Sequence, residues 1–296
     1  RSKVDFIDID INTFNISIEF FKQKLKKAKK NKTLPKIVIV VHIGGNPCDM
    51  KEIKNLSKKY NFKVIEDASH ALGASYKNSL IGSCEYSDIS IFSYYPVKMI
   101  TTGEGGSLHT NNKNIFKKAS MLRSHGITKN VRSPTTKKFE NWYYEQIYLG
   151  FNYRMSDINA SLGISQLKKL DKFLRKRNLL ANEYNKLFDL NKYVNYQKIE
   201  KNNLSSYHLY ILMINENSEV NNYQLMEYLS KFKIGTQLHY LPIHLQPYYK
   251  KLGFRKGDFL NAEKYSRKAL SIPLNFHMRL KDIRFISNKI NKYFGI

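Results

Sequence analysis

The sequence predicts an α/β fold built around a sheet whose strands are mostly parallel. A β-branched run at 37–41 has the pattern of a buried strand, and further apolar runs follow at 62–66 and 88–93. A helical pattern at 50–60 separates the first two runs. Strand–helix–strand order is typical of a parallel sheet, because the helix carries the chain back to the edge where the next strand begins.

The elements before the second strand follow from spacing and capping signals. Apolar residues at helical spacing predict a helix over 18–30, and Pro35 ends this pattern before the first strand. Asp49 and Glu52 have the spacing of a capping box, which predicts where the next helix begins.

Beyond the third strand, the sequence predicts a short strand at 108–110 and a helix at 114–123. Residues 126–150 are polar, aromatic and poorly periodic. We expect a long loop there, and such a loop is either functional or a plain surface excursion.

Ser156 has the position of a helix cap, and we expect one long helix from there to about Phe188. The apolar residues predicted to face inward along its first part are Ile158, Leu162, Leu167, Leu170 and Leu174.

At 296 residues the chain is long enough for one large domain or two smaller ones. We expect a large domain at 1–175 and a smaller C-terminal α+β domain at 176–296. In the smaller domain, the pattern predicts a strand at 207–214 and helices at 223–232 and 262–270.

The formal net charge of +26 raises the question of nucleic-acid binding. The lysine clusters at 22–32 and 168–177 lie on helical patterns, where charges usually form a solvated face, and no nucleic-acid motif accompanies them. We therefore expect no nucleic-acid partner. A positive field would instead attract a substrate that carries a diphosphate.

No apolar run approaches the roughly 18 residues that cross a membrane, so no membrane partner is expected. Two cysteines, Cys48 and Cys84, and no visible secretory signal favour a cytoplasmic location. Neither a CxxC pair nor a Cys/His cluster suggests a metal.

Two residues at strand ends point to a chemistry. Asp67 follows the second strand and Lys98 follows the third, and the carboxyl ends of parallel strands line the ligand crevice of such a sheet. A lysine that captures an aldehyde and a carboxylate that keeps a pyridine nitrogen protonated are what a pyridoxal phosphate enzyme needs. The alternatives are a solvated surface lysine and a helix-capping aspartate.

Longer motifs decide between these alternatives. The runs VIEDASHALGASYKN at 64–78, IFSYYPVKMITTGEGGSLHTNN at 91–112 and LGFNYRMSDINASLGISQL at 149–167 resemble the DegT/DnrJ/EryC1 family of sugar-nucleotide aminotransferases. HYLPIHLQPYYKKLGF at 239–254 extends the resemblance. It implies a fold-type I, aspartate aminotransferase-like large domain with a mixed, mostly parallel sheet.

The resemblance also implies a cofactor, pyridoxal 5′-phosphate, and roles for individual residues. Lys98 would bind the cofactor and shuttle a proton, Asp67 would pair with the ring nitrogen, and His70 would approach the ring. Ser93 and Asn152 would bind its phosphate, Asn152 from the neighbouring subunit of a homodimer with a shared active site.

For the substrate, the resemblance implies a UDP-linked 4-keto-6-deoxy amino sugar with glutamate as amino donor, as in pseudaminic acid biosynthesis. His239 and Tyr240 would line the sugar-nucleotide pocket, and Arg154 would be structural or contact a substrate phosphate. Tyr94 and Tyr95 stand where relatives often have Phe-His, which weakens the assignment to one branch.

One feature of the family is missing. The pattern at residues 4–17 already matches an internal strand of the family, so the Ser/Thr-Gly-Thr turn that cups the cofactor phosphate is absent. The resemblance therefore leads us to expect that the sequence is a fragment or a truncated gene product. This leaves two alternatives open: an inactive remnant of the family, or an aminotransferase for another 4-keto or 3-keto nucleotide sugar.

Overall fold

The computed structural model describes residues 3–296. Its helices are α1 (Ile18–Lys30), α2 (Met50–Tyr60), α3 (Lys113–Arg123), α4 (Asp157–Leu167), α5 (Leu170–Phe188), α6 (Asn222–Ser230), α7 (Pro247–Lys250), α8 (Leu260–Lys268) and α9 (Leu280–Tyr293). Its strands are β1 (Ile37–Val41), β2 (Lys63–Asp67), β3 (Ser75–Tyr76), β4 (Ser79–Leu80), β5 (Ile89–Ser93), β6 (Gly106–His109), β7 (Ile127–Thr128), β8 (Glu145–Gln146), β9 (Val194–Tyr196), β10 (Asn203–Leu204), β11 (Tyr210–Ile214) and β12 (Ala269–Ile272). Short 3₁₀ turns lie at Ile43–Gly45 and Ile243–Leu245.

The main sheet has the strand order β1-β2-β5-β6. Strands β1, β2 and β5 are parallel, and β6 pairs antiparallel with β5. This confirms the predicted α/β fold with a mixed, mostly parallel sheet. The register places Val41, Asp67 and Ile91 side by side, so the parallel strands end at one common edge.

The two faces of this sheet differ in what covers them. Successive side chains of a strand point to opposite faces. One face packs on α1 and α2 through Val38, Val40, Val64, Phe92, Phe21, Leu25 and Ile53. On the other face, Ile37 and Ile39 of β1 are 55% and 60% exposed. Parallel sheets in α/β proteins are usually covered on both faces. This face of β1 instead presents apolar side chains to solvent.

The predicted bounds of α1 and α2 are confirmed, and the Asp49 half of the capping box predicted for α2 is formed. Helix α1 has the predicted bounds, and the Ser17 hydroxyl accepts a hydrogen bond from the Phe20 amide. The Asp49 carboxylate accepts one from the Glu52 amide at the start of α2.

The C-terminal part is an α+β unit with its own core. The antiparallel sheet β12-β11-β9 packs on α5, α6 and α9, through buried residues such as Tyr184, Leu212, Leu225 and Ile283. This agrees with the predicted smaller domain. The domain boundary at residue 175 stays a prediction, since α5 runs across it.

The single long helix predicted after Ser156 is wrong in two respects. The chain forms α4 and α5 with a break at 168–169, although Ser156 does cap α4. Ile158, Leu162 and Leu167 are 83%, 40% and 53% exposed instead of facing inward, whereas Leu174 is buried. Periodicity identifies an apolar stripe, but it does not show whether anything in the chain covers it.

The segment predicted as a loop at 126–150 contains a short antiparallel pair of strands, β7 and β8. Two-residue strands leave almost no periodic signal in a sequence. None of the helices in residues 3–296 is both long and apolar enough to cross a membrane.

Candidate active site

Asp67 lies at the carboxyl end of β2, where its half-buried carboxylate has two roles. Its Oδ1 accepts a hydrogen bond from the Ser69 amide at 3.1 Å, which closes a turn; the next element is β3 and not a helix, so the helix-capping alternative is wrong. Its charge also reaches the site: together with burial it raises the pKa of Tyr240, and it opposes the lowered pKa of Lys98. The Asp67 carboxylate can therefore accept the Ser69 hydrogen bond and also interact electrostatically with Lys98.

Lys98 lies in the turn that follows β5, and its backbone amide donates to the Tyr95 carbonyl at 2.9 Å. The side chain is half-buried. Burial lowers the pKa of its ammonium group, and the Asp67 carboxylate partly restores it. A lowered pKa increases the fraction of neutral amine, which is the nucleophilic form.

His70 is buried beside these two groups and is held as a neutral ring. The Gly44 amide donates to its Nδ1 at 3.3 Å, which places the ring proton on Nε2. Burial, with the positive charge of Lys98, lowers the pKa of His70 to about 4, against the opposing effect of Asp67. At neutral pH the imidazole is therefore uncharged.

His239 and Tyr240 reach the same cluster from the C-terminal domain. His239 Nδ1 lies 2.9 Å from the Ser271 hydroxyl, and the Tyr265 hydroxyl donates to the His239 carbonyl at 2.7 Å. Burial and the nearby charge of Lys98 lower the pKa of His239. The structure thus brings together Asp67, Lys98, His70, His239 and Tyr240.

The other three predicted site residues are placed differently. Ser93 ends β5 at the same edge of the sheet, and its oxygen accepts from the Tyr95 amide at 3.4 Å, which leaves its proton available. Asn152 and Arg154 are exposed, and Asn152 forms a backbone bridge with Ser124. No hydrogen bond within residues 3–296 links either of them to the Lys98 cluster, so their roles stay predictions.

Sequence reasoning missed His208 and Arg177. His208 packs on His70, with ring centroids 4.4 Å apart. Arg177 of α5 donates through Nη1 to the carbonyls of Tyr207, His208 and Leu274 at 2.9, 3.3 and 2.8 Å. The available signal was a histidine at the entrance to an apolar strand, which is more often a structural residue.

No group of three or more His, Cys, Asp or Glu side chains in the described part of the chain could hold a metal ion. The site combines an amine of lowered pKa, a carboxylate that acts on this amine, and a neutral imidazole beside them. On an α/β sheet of this topology, such a pocket defines a pyridoxal-phosphate-dependent aminotransferase.

Comparison with known proteins identifies the family. The profile of the DegT/DnrJ/EryC1/StrS aminotransferase family matches residues 1–291, and the chain belongs to this family.

Two relatives and one solved structure illustrate the similarity. The chain is 42% identical over 289 residues to the UDP-4-amino-4,6-dideoxy-N-acetyl-beta-L-altrosamine transaminase of Campylobacter jejuni serotype O:23/36, covering 98% of this chain and 73% of that protein. It is 40% identical over 294 residues to the uncharacterized protein MJ1066 of Methanocaldococcus jannaschii, covering 99% and 74%. The structure of the Helicobacter pylori aminotransferase PseC, involved in pseudaminic acid biosynthesis, superposes with a TM-score of 0.87 at 29% identity, covering 98% of this chain and 73% of that one.

Proposed function

We propose that the protein transfers an amino group from glutamate to the 4-keto group of a UDP-linked 6-deoxy amino sugar, on the route to pseudaminic acid. The observation that carries the proposal is the half-buried Lys98 amine opposite the Asp67 carboxylate. The resemblance assigns these two residues to the cofactor. When bound, pyridoxal phosphate supplies an electron sink for the substrate carbon that loses or gains the amine.

The residues of the pocket fit this cofactor. Asp67 would pair with the protonated ring nitrogen, and the neutral His70 ring would add no competing positive charge beside it. The Ser93 hydroxyl proton is free and could be donated to the phosphate. The Lys98 amine would hold the cofactor and, in its neutral form, could accept the proton of the substrate carbon.

Support for the particular substrate comes from the surroundings of the pocket. His239 and Tyr240 approach from the C-terminal domain and leave an open side towards solvent, where Tyr240 is 56% exposed. The net charge of +26 favours an anionic nucleotide sugar. The Campylobacter relative acts on such a sugar by name, but the methanogen relative of similar identity has no assigned substrate. The sugar is therefore the part of the proposal that most needs an experiment.

We further propose a homodimer with a shared active site, formed through α4 and the segment before it. Ile158, Ile164 and Tyr153 are 83%, 59% and 71% exposed, an unusual amount of apolar surface in one region. This surface adjoins the turn after Lys98, because Asn159 of α4 donates to the Thr102 carbonyl at 2.6 Å. Asn152, which lies on the same surface, would reach the phosphate site of the partner subunit, with Arg154 contacting the substrate phosphate.

A specific observation favours the second candidate, an inactive remnant. One face of β1 presents apolar side chains to solvent, with Ile37 and Ile39 55% and 60% exposed. In this reading the chain folds but holds no cofactor.

An absorbance spectrum of the purified chain with pyridoxal phosphate separates the two candidates. We expect a yellow band, and borohydride reduction should attach the cofactor irreversibly to the peptide that contains Lys98. Lys98→Ala should abolish both signals, whereas Lys129→Ala, which changes an exposed loop lysine, should leave them intact. A colourless wild-type chain, or label on another peptide, contradicts the proposal. Turnover of UDP-linked 4-keto sugars then tests the substrate.

A further inference from the structure

His208 of the C-terminal domain forms a ring contact with His70 of the large domain. Its side chain lies at the entrance to β11, is 9% exposed, and is inclined by 42° to the His70 ring. Its Nδ1 has no hydrogen-bond partner within residues 3–296. The His208 ring is therefore held by packing against its neighbours, which include the His70 ring.

Two further contacts hold His70 in place, one at its backbone carbonyl and one at its ring. The Ser206 hydroxyl donates to the His70 carbonyl at 2.5 Å, and the Gly44 amide donates to Nδ1. Gly44 has a φ of +68°, and a Cβ there would lie 2.8 Å from the Gln197 side-chain oxygen. Only glycine fits at position 44 without rearrangement. The backbone amide that donates to His70 is therefore held in a fixed place by the local backbone conformation.

The charged groups around the two rings favour uncharged imidazoles. His70 faces Lys98, Asp67 and His239, and His208 lies near Arg177 and Lys98. Among these neighbours the positive groups outnumber the single carboxylate. A positive charge on either ring would also lie close to the other ring, because the two ring centroids are 4.4 Å apart.

We propose that His208 is a positioning residue, whose ring holds His70 in a single orientation as a neutral imidazole with its proton on Nε2. The C-terminal domain then controls the group that lies beside the cofactor. A charged His70 would compete with the protonated cofactor ring for Asp67, so a neutral one preserves the ring's capacity to accept electrons. The inference rests on the proposed function only for the identity of the cofactor.

The test uses histidine NMR on the cofactor-free chain, with His70→Gln to assign the signals. In the wild type we expect His70 to be neutral at pH 6 with its proton on Nε2. In His208→Leu, solvent reaches His70, and its pKa should rise by about one unit towards the ordinary value. His208→Phe keeps a planar ring and should preserve the wild-type behaviour of His70.

Cofactor affinity provides an independent readout. The dissociation constant for pyridoxal phosphate, measured by fluorescence titration, should increase about tenfold in His208→Leu and stay near the wild-type value in His208→Phe. In a His70→Gln background, His208→Leu should have no further effect, because the two rings act as one unit.

Several results would overturn the inference. They are an unchanged His70 titration in a folded His208→Leu, an equal change in the Phe variant, or additive effects in the double variant. If His208→Leu fails to fold, the wild-type spectrum decides, since a His70 that is charged at pH 6 or protonated on Nδ1 contradicts the proposal. Because the titration needs no cofactor, a chain that never binds pyridoxal phosphate would refute the proposed function and leave this test intact.

Discussion

Glu66 and Asp67 are consecutive residues of β2 that serve opposite faces of the sheet. Glu66 is 3% exposed and accepts hydrogen bonds from His42 Nε2 at 3.0 Å and from the Ser87 hydroxyl. His42 is itself oriented, because its Nδ1 accepts from the Cys48 amide at 3.1 Å. Asp67 projects to the other side, towards Lys98. The end of β2 is thus anchored by Glu66 on one face of the sheet, and it presents the Asp67 carboxylate on the other face.

Removing the Glu66 carboxylate should destabilise the fold. Glu66→Ala leaves the donors of His42 and Ser87 without an acceptor, and we expect the free energy of unfolding to fall by about 3 kcal/mol. Glu66→Gln keeps one acceptor and should cost about 1 kcal/mol. Urea unfolding measures both. Glu219→Ala, at an exposed carboxylate, is the control, and an equal effect there would refute the assignment.

Arg177 should matter more for stability than its neighbour Arg175. Arg177→Ala leaves three carbonyl groups without their shared donor, and we expect a loss of about 2 kcal/mol. Arg175 is exposed on the same helix, so Arg175→Ala should change the free energy of unfolding by less than about 0.5 kcal/mol. Similar unfolding midpoints for the two variants would contradict this.

The partly buried Lys98 side chain should lower the free energy of unfolding of the chain. Because its folded-state pKa is below the ordinary value, protonating it disfavours the fold, and this cost is present at neutral pH. Lys98→Met should therefore raise the free energy of unfolding by about 1 kcal/mol at pH 7. The gain should shrink as pH rises through the folded-state pKa of Lys98, because the wild-type amine is then neutral.

Thermal unfolding of the cofactor-free chain between pH 7 and about pH 10 measures this effect, since the ordinary lysine pKa lies near that upper limit. Lys129→Met at an exposed loop position should give no gain. A gain of the same size at both positions would show that apolar substitution, and not the site, causes it.

The sequence was sufficient to predict the main sheet and the pair of residues at its carboxyl edge, Asp67 and Lys98. Asp67 and Lys98 each follow an apolar run, and the rule that parallel strands share a carboxyl edge brings them together. The bounds of α1 also followed from the helical spacing of its apolar residues. These signals are local or follow from the topology, so they can be read from a single sequence.

What could not be predicted depends on contacts between distant segments. His208 matters because the C-terminal domain folds back onto His70, and nothing in the residues around either histidine specifies that contact. Likewise, the stripe of α4 has the same pattern as a core helix, yet Ile158 is exposed. A pattern shows which side chains share a face, but it does not show what covers that face.

The exposed stripe leads to a test of the proposed dimer. Ile158 is 83% exposed on α4, and Leu190, outside this surface, is 89% exposed. Ile158→Lys should shift the chain from dimer to monomer, because a charge cannot be buried between two copies without a partner. Leu190→Lys should leave the assembly unchanged, and in neither variant should the thermal stability of the monomer fall, since both side chains are solvated.

Light scattering coupled to gel filtration gives the mass directly. A wild-type chain that is monomeric at all concentrations, or a dimer that survives Ile158→Lys, would exclude this surface as the interface. Asn152 would then have no route to a partner's site.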